Sequence, residues 1–414
     1  MADPGSPRSR GHRIQLLQGS RELFPALIAA IDGALAEVRL ETYIFDFNAS
    51  GADVAHALMR AAERGVAVHL LVDGVGTGQL PADWRSRFDR SGVQWRVYAP
   101  LGALGYLAPS RWRRLHRKLC AVDGRIAFCG GINILDDLHD PGRGTLAAPR
   151  LDFALRARGA LALEVRGAMA RLWWRMQLMR DVRRRDLPAA LDSLRAPAAL
   201  SARGARRMLR VRRTAMTGLR RRRPIRALLL LRDNLRNRGR IERAYRKAIA
   251  EARQEIVIAN AYFVPGAKLR RALVLAAQRG VRVLLLLQGR YESFMQFHAT
   301  RPVYRQLLDA GVEIHEYDAS FLHAKVAVID GHWLTVGSSN LDPLSLLLAR
   351  EANVVVDDAA IAADLRARLL AAMEHGGRRI DPADYENRPW RQRFGERIAL
   401  ALMRAALFLT GMRY

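Results

Sequence analysis

Two histidine–lysine pairs carry residue types and spacings able to do chemistry. His116 and Lys118 are followed by Asp123 and Asn133, and His323 and Lys325 by Asp330 and Asn340. Both stretches read H-x-K, four residues, D, six residues, G-x-x-N, and they lie 207 residues apart. In an extended strand, positions i and i+2 share a face. Each pair therefore presents an imidazole beside an ammonium. The ammonium neutralises the non-bridging oxygens of a phosphate, and the imidazole attacks phosphorus or moves a proton. The small-residue turns at Gly130-Gly131 and Gly337-Ser338 let Asn133 and Asn340 approach the same group, so Asn133, Asn340 and Ser338 are the expected phosphate contacts. Chance is a poor account of two matched copies, because burying a lysine without a partner costs several kcal/mol.

The elements that position these residues are legible from apolar runs. Residues 119–122 and 326–329 read as buried strands closed by Asp-Gly. Asp123 and Asp330 complete the candidate catalytic set, placed at the strand-to-turn junction to hold the turn or brace the site. Upstream, strands are expected over residues 14–17, 38–45, 66–72 and 92–98, with helices over 24–35 and 54–64. The second half repeats the pattern, with strands at 227–231, 256–263 and 281–287 and a helix at 241–252. Residues 272–281 mirror residues 57–66, which points to an internal duplication. The expected fold class is α/β, with two duplicated halves. Each is a mostly parallel β-sheet flanked by helices, and packed face to face they share one central cleft.

The doubled motif resembles the phospholipase D superfamily, and within it bacterial cardiolipin synthases of the B type. The resemblance also rests on residues 13–17, 40–44, 259–263 and 337–345. It implies two-step displacement at phosphorus through a phosphohistidine, with His116 attacking and His323 as acid and base. The near-symmetry of the pairs leaves the two roles open on the residues alone. It also implies that Glu351 orients an imidazole. Asp152, after a longer loop over residues 138–150, is the first-half candidate for that role. The implied substrate is phosphatidylglycerol, as donor and acceptor, giving cardiolipin and glycerol. A phospholipase-type hydrolase, a phosphodiesterase or nuclease of the same fold, and a non-enzymatic anionic-lipid binder are the competing classes.

Bulk properties agree with an anionic partner. The 414 residues carry 68 Lys and Arg against 40 Asp and Glu, a net charge of +28. The arginines cluster near apolar and aromatic residues, as in Leu172, Trp173, Trp174, Met176 and Met179 before the arginine runs. That favours a membrane surface, and no nucleic acid is expected. Two cysteines, Cys120 and Cys129, exclude a disulfide framework. No metal-ligand spacing is present (His315 and His332 stand at none), so neither metal nor cofactor is expected. The expected layout is an irregular N-terminus over 1–12 that is not a signal peptide, a first half over 13–180 and an arginine-rich linker over 181–226. A second half over 227–380 and an amphipathic tail over 381–414 complete it. Loop residues 104–114, with a counterpart containing Phe294, Met295, Phe297 and Arg301, are expected to rim the cleft. No apolar run spans a bilayer, so the expected location is peripheral, on the cytoplasmic side of a bacterial inner membrane. The oligomeric state is left open.

Overall fold

The computed structural model describes residues 9–102, 105, 112–140, 142–184, 186, 188, 189, 193, 225–233, 237, 239–290, 294–342, 349–386 and 398. The first half runs β1 (Ser9–Gln18), α1 (Gly19–Asp32), β2 (Glu37–Thr42), α2 (Ala49–Glu63), β3 (Ala67–Asp73), α3 (Ala82–Ser91) and β4 (Gln94–Tyr98). It continues with β5 (Arg114–Leu115), β6 (Lys118–Val122), β7 (Ile126–Gly130), β8 (His139–Asp140), β9 (Gly144–Thr145), β10 (Phe153–Arg158) and α4 (Ala160–Arg183). The second half runs β11 (Ile225–Arg232), α5 (Arg240–Glu251), β12 (Glu255–Asn260), α6 (Ala267–Gln278), β13 (Arg282–Gln288), α7 (Phe294–Leu308) and β14 (Glu313–Tyr317). It ends with β15 (Lys325–Ile329), β16 (Trp333–Gly337), β17 (Ala349–Asp357), α8 (Ala359–Gly376), β18 (Gly377–Arg379) and α9 (Pro382–Glu386).

The strand order of the first half is β1-β10-β7-β6-β2-β3-β4, and the second half repeats it as β11-β17-β16-β15-β12-β13-β14. The duplication read from sequence is thus a duplication of topology. The two sheets join edge to edge where β1 pairs antiparallel with β11, Ser9 opposite Ala227 and His12 opposite Ile225. Residues 9–12, expected to be irregular, are the strand that makes this join. No local pattern could announce it, because the partner edge lies more than 200 residues away. The halves also meet face to face, β7 and β10 against β17 and β16. One apolar core spans both, with Leu119, Leu155 and Val165 of the first half packed with Val326, Val354 and Leu365 of the second.

The expectation of mostly parallel sheets needs correction. Within the two seven-strand orders, parallel pairing is confined to β2-β3-β4 and β12-β13-β14, where α2, α3, α6 and α7 provide the crossovers, and between the halves β5 adds a short parallel pair with β17. The strands that carry and flank the motifs are antiparallel. The cause is connection length. β6 turns into β7 over Asp123-Gly124-Arg125, too short for a crossover, which forces a hairpin. Asp123 and Gly124 take φ of 53° and 62°, and Asp330 and Gly331 take 48° and 65°. The left-handed backbone explains Asp-Gly at these turns.

Asp123 and Asp330 do not reach the candidate site. Asp123 accepts from the backbone amides of Leu35, Ala36 and Glu37 at 2.8–3.0 Å. Asp330 does the same for Arg253, Gln254 and Glu255 at 2.8–3.1 Å. Each sits five residues beyond its lysine, about 16 Å away along a strand. Expected in the catalytic set, both residues instead have a structural role. Each splints the chain entering β2 or β12 to the motif hairpin. Asp123→Ala is expected to lower stability by about 2–3 kcal/mol, the scale of hydrogen bonds to a charged group. Thermal unfolding checks this, with activity per folded molecule retained.

The segment before the first motif follows β4, whereas Phe294–Leu308 is α7, between β13 and β14. α7 is therefore the counterpart of α3, not of the loop at 104–114. Most of residues 185–224, and most of the expected tail, lie outside the described residues. At the start of that tail residues 381–383 are exposed, but the next turn reaches the core. In α9, Tyr385 is buried, with its ring 5.8 Å from Tyr304.

Candidate active site

His116 and His323 each lead into a motif strand, and each is fixed by the opposite half. The amide of His116 donates to Arg350 O at 3.1 Å, and that of His323 to Leu151 O at 2.9 Å. The side chains cross over in the same way. His116 Nδ1 lies 2.9 and 3.1 Å from the two carboxylate oxygens of Glu351, in β17. His323 Nδ1 lies 2.6 Å from Asp152 Oδ2, just before β10. A carboxylate on Nδ1 fixes the tautomer and leaves Nε2 to face substrate. Exposure agrees: the carboxylate side chains are 0% and 3% exposed, the imidazoles 16% and 21%. The reactive edges are therefore the accessible parts of a buried assembly.

Both lysines are buried and fold back onto their own motif. Lys118 Nζ donates to His116 O at 2.8 Å, and Lys325 Nζ donates to His323 O. The halves share one electrostatic neighbourhood. Lys325 acts on His116 and Lys118, and His116 and Lys118 act on His323. Burial lowers the Lys118 ammonium to about 7. Burial, with Lys325, Lys118 and His116 around it, holds His323 well below the usual imidazole range. The carboxylates differ. Burial pushes Asp152 up to about 7. Burial opposes ionisation of Glu351 as well, but His116, Lys118 and the Ser338 hydroxyl outweigh it and hold this carboxyl below its ordinary value. One imidazole thus faces a fixed anion, and the other shares a carboxyl that titrates near neutrality.

The expected phosphate contacts divide. Asn133 Oδ1 accepts from Ile44 N at 3.1 Å, which sets the amide beside Tyr43, whose ring packs edge-on against His116 at 5.0 Å. Asn340 occupies the equivalent turn after β16 and is 3% exposed. Ser338 does not bind phosphate: it is fully buried, its hydroxyl donates to Glu351, and it accepts from Ala352 N at 3.1 Å. At the matching position, Gly131 leaves room for Asp152, since a Cβ there would lie 2.3 Å from Asp152 Oδ1. The Ser338–Gly131 difference is why the two carboxylates differ in support.

Sequence reading missed a clamp on each motif. Asp73, at the end of β3, accepts from Leu115 N at 2.7 Å and from the Arg114 guanidinium at 3.2 Å. Gln288, at the end of β13, accepts from Leu322 N at 2.9 Å. Each grips the residue before a histidine. The signal was available in part, because a polar residue closes a mostly apolar strand in both copies. Among the described residues no group of three or more His, Cys, Asp or Glu side chains is placed to hold a metal ion. Cys120 and Cys129 are buried free thiols.

Residues 27–137 and 245–372 match the family described as cardiolipin synthase, PLD-like domain. Cardiolipin synthase B of Escherichia coli (strain K12) is 36% identical over 389 residues, covering 92% of this chain and 85% of that protein. A cardiolipin synthase of Geobacillus kaustophilus (strain HTA426) is 28% identical over 398 residues, covering 96% and 73%. Among solved structures, a phosphatidylserine synthase of Haemophilus influenzae Rd KW20 shares the fold, with a TM-score of 0.63 over 96% of this chain and 93% of that one at 12% identity. With the doubled motif, the repeated topology and these matches in place, the chain belongs to the phospholipase D-like cardiolipin synthase family.

Proposed function

We propose that the protein is a cardiolipin synthase that transfers a phosphatidyl group from one phosphatidylglycerol to the terminal hydroxyl of a second, releasing glycerol. The observation that carries the reading is the crossed pairing of His116 with Glu351 and His323 with Asp152, around two buried lysines. In the first step, His116 Nε2 attacks phosphorus, the P–O bond to glycerol breaks, and His323 gives that oxygen its proton. In the second, the acceptor oxygen forms a bond to phosphorus, the P–N bond breaks and its electrons return to His116, while His323 takes the acceptor's proton. The charge asymmetry supports this division. A fixed Glu351 anion stabilises the cation that His116 becomes on phosphorylation. Asp152, whose carboxyl titrates near neutrality beside His323 Nδ1, supports the side of the site that must both give and take a proton. Lys118 and Lys325 neutralise the non-bridging oxygens, with Asn133 and Asn340 as further donors.

Labelled phosphatidylglycerol in vesicles, with and without a chelator, tests the function. Cardiolipin and glycerol in equal amounts are expected, and phosphatidic acid as sole product would make the protein a hydrolase. The Lys118 ammonium gives a pH prediction. At about 7 in the free enzyme, it loses its charge as pH rises. Accordingly, kcat/KM should fall above neutrality with a limiting slope of one decade per pH unit, while kcat holds because bound phosphate keeps the proton on. A kcat/KM profile flat through about pH 6 to 9 would remove Lys118 from this role.

We further infer peripheral attachment to an anionic membrane, the cytoplasmic face of a bacterial inner membrane. The net charge of +28 supports it, and no described helix is long and apolar enough to cross a bilayer.

A further inference from the structure

Water and free glycerol are neutral acceptors, but a second phosphatidylglycerol brings its own phosphodiester, one glycerol away from the attacking oxygen. A synthase therefore needs a second anion site on the side where the acceptor's proton is taken. Resting on the synthase reading, we propose that Arg143 and Arg290, gathered over Phe321, bind the phosphodiester of the acceptor lipid.

The geometry starts from the backbone. Leu151 N donates to Phe321 O at 3.0 Å, and His323 N donates to Leu151 O at 2.9 Å, so residues 321–323 are extended. Phe321 and His323 then leave the same face, about 7 Å apart along the strand. Two guanidiniums converge on that ring from opposite halves. Arg143, exposed in the β8–β9 turn, lies 4.8 Å from its centroid, and Arg290, just after β13, lies 5.9 Å away. Arg290 is held by the carbonyls of Asp318 and Ala319 at 2.7 and 2.9 Å, which aims it without neutralising it. The carboxylates nearby are engaged: Asp140 with Arg150 at 2.6 Å, and Asp318 with Arg378 at 3.6 Å. Arg378 also bonds Glu316 at 2.7 Å, so its charge is shared between two carboxylates. On the other side of the site Arg114 stands where Phe321 does and is tied to the buried Asp73, whose own counterpart is the neutral Gln288. The departing part of the donor is uncharged glycerol, so only the acceptor brings a second phosphodiester to the His323 side. A guanidinium suits it, because it presents paired donors to paired oxygens.

The test compares two acceptors in one enzyme. Wild type, Arg143→Gln and Arg290→Gln are assayed in nonionic mixed micelles containing phosphatidylglycerol. Cardiolipin formation and incorporation of labelled free glycerol into phosphatidylglycerol are both measured. Losing one charge-assisted contact should slow cardiolipin formation at limiting lipid by roughly tenfold or more, with glycerol exchange changed less than about twofold. Because Arg290 also braces residues 318 and 319, Arg143→Gln is the deciding variant. If it lowers both reactions in equal proportion, or leaves cardiolipin formation intact, the site is not there. Wild-type enzyme that performs neither reaction would instead overturn the synthase reading itself.

Discussion

His116→Ala should yield no covalent phosphoenzyme and no measurable transfer, whereas His323→Ala should accumulate the phosphoenzyme. Without His116 there is no imidazole held by Glu351 to attack phosphorus. Without His323, attack remains possible, but glycerol leaves unprotonated and the acceptor keeps its proton. General acid–base catalysis is worth on the order of 10² to 10⁴ in rate. A donor with a good leaving group needs no acid in the first step, so the second step becomes the bottleneck and the intermediate builds up. Rapid quenching under non-acidic conditions with a ³²P-labelled donor reads this directly. Label held by His116→Ala and missing from His323→Ala would exchange the two roles.

The crossed carboxylates make the second large prediction. Glu351 is in the second half but holds the first-half histidine, and Asp152 does the reverse. Glu351→Gln should therefore behave like loss of His116, with transfer reduced and little phosphoenzyme formed. Asp152→Asn should behave like loss of His323, with phosphoenzyme retained. The amide keeps the shape but loses the charge and favours the wrong tautomer, an effect on the order of 10⁴ in the serine-protease triad. Ser338 bonds Glu351, whereas Asp152 accepts from the backbone amide of Phe153 at 2.8 Å and, among the described residues, from no hydroxyl at the position of Gly131, so Ser338→Ala should weaken only the His116 side. If Glu351→Gln traps phosphoenzyme as His323→Ala does, the pairing does not divide the chemistry in this way.

The motif histidines and lysines were legible because their spacing repeats, and the inner strands because they are unbroken apolar runs. Much of what the sequence hid depends on distant partners. β1 gains its outer residues only by meeting β11, and no pattern within residues 9–12 encodes that edge. Asp152 and Glu351 could be named as orienting groups, but which imidazole each holds depends on how the halves interlock. Ser338 reads as a phosphate contact because it belongs to the small-residue turn that brings Asn340 close. Here the hydroxyl turns inward, to a carboxylate thirteen residues on. Helix α3 escaped notice for another reason: of its ten residues only Phe88 is buried, so it carries almost no apolar stripe.

The crossing of the carboxylates bears on ancestry. A lone half would hold a histidine without its carboxylate and a carboxylate without its histidine. Two identical copies meeting about a two-fold axis would restore both pairs, but with identical sides. Joining the copies in one chain frees each side to change separately. Tyr43 now corresponds to Ala261, Gly131 to Ser338, and Arg114 to Phe321 in the two halves. A reaction whose two substrates are the same lipid gains from that freedom, because like molecules can be told apart only by a site that has lost its symmetry.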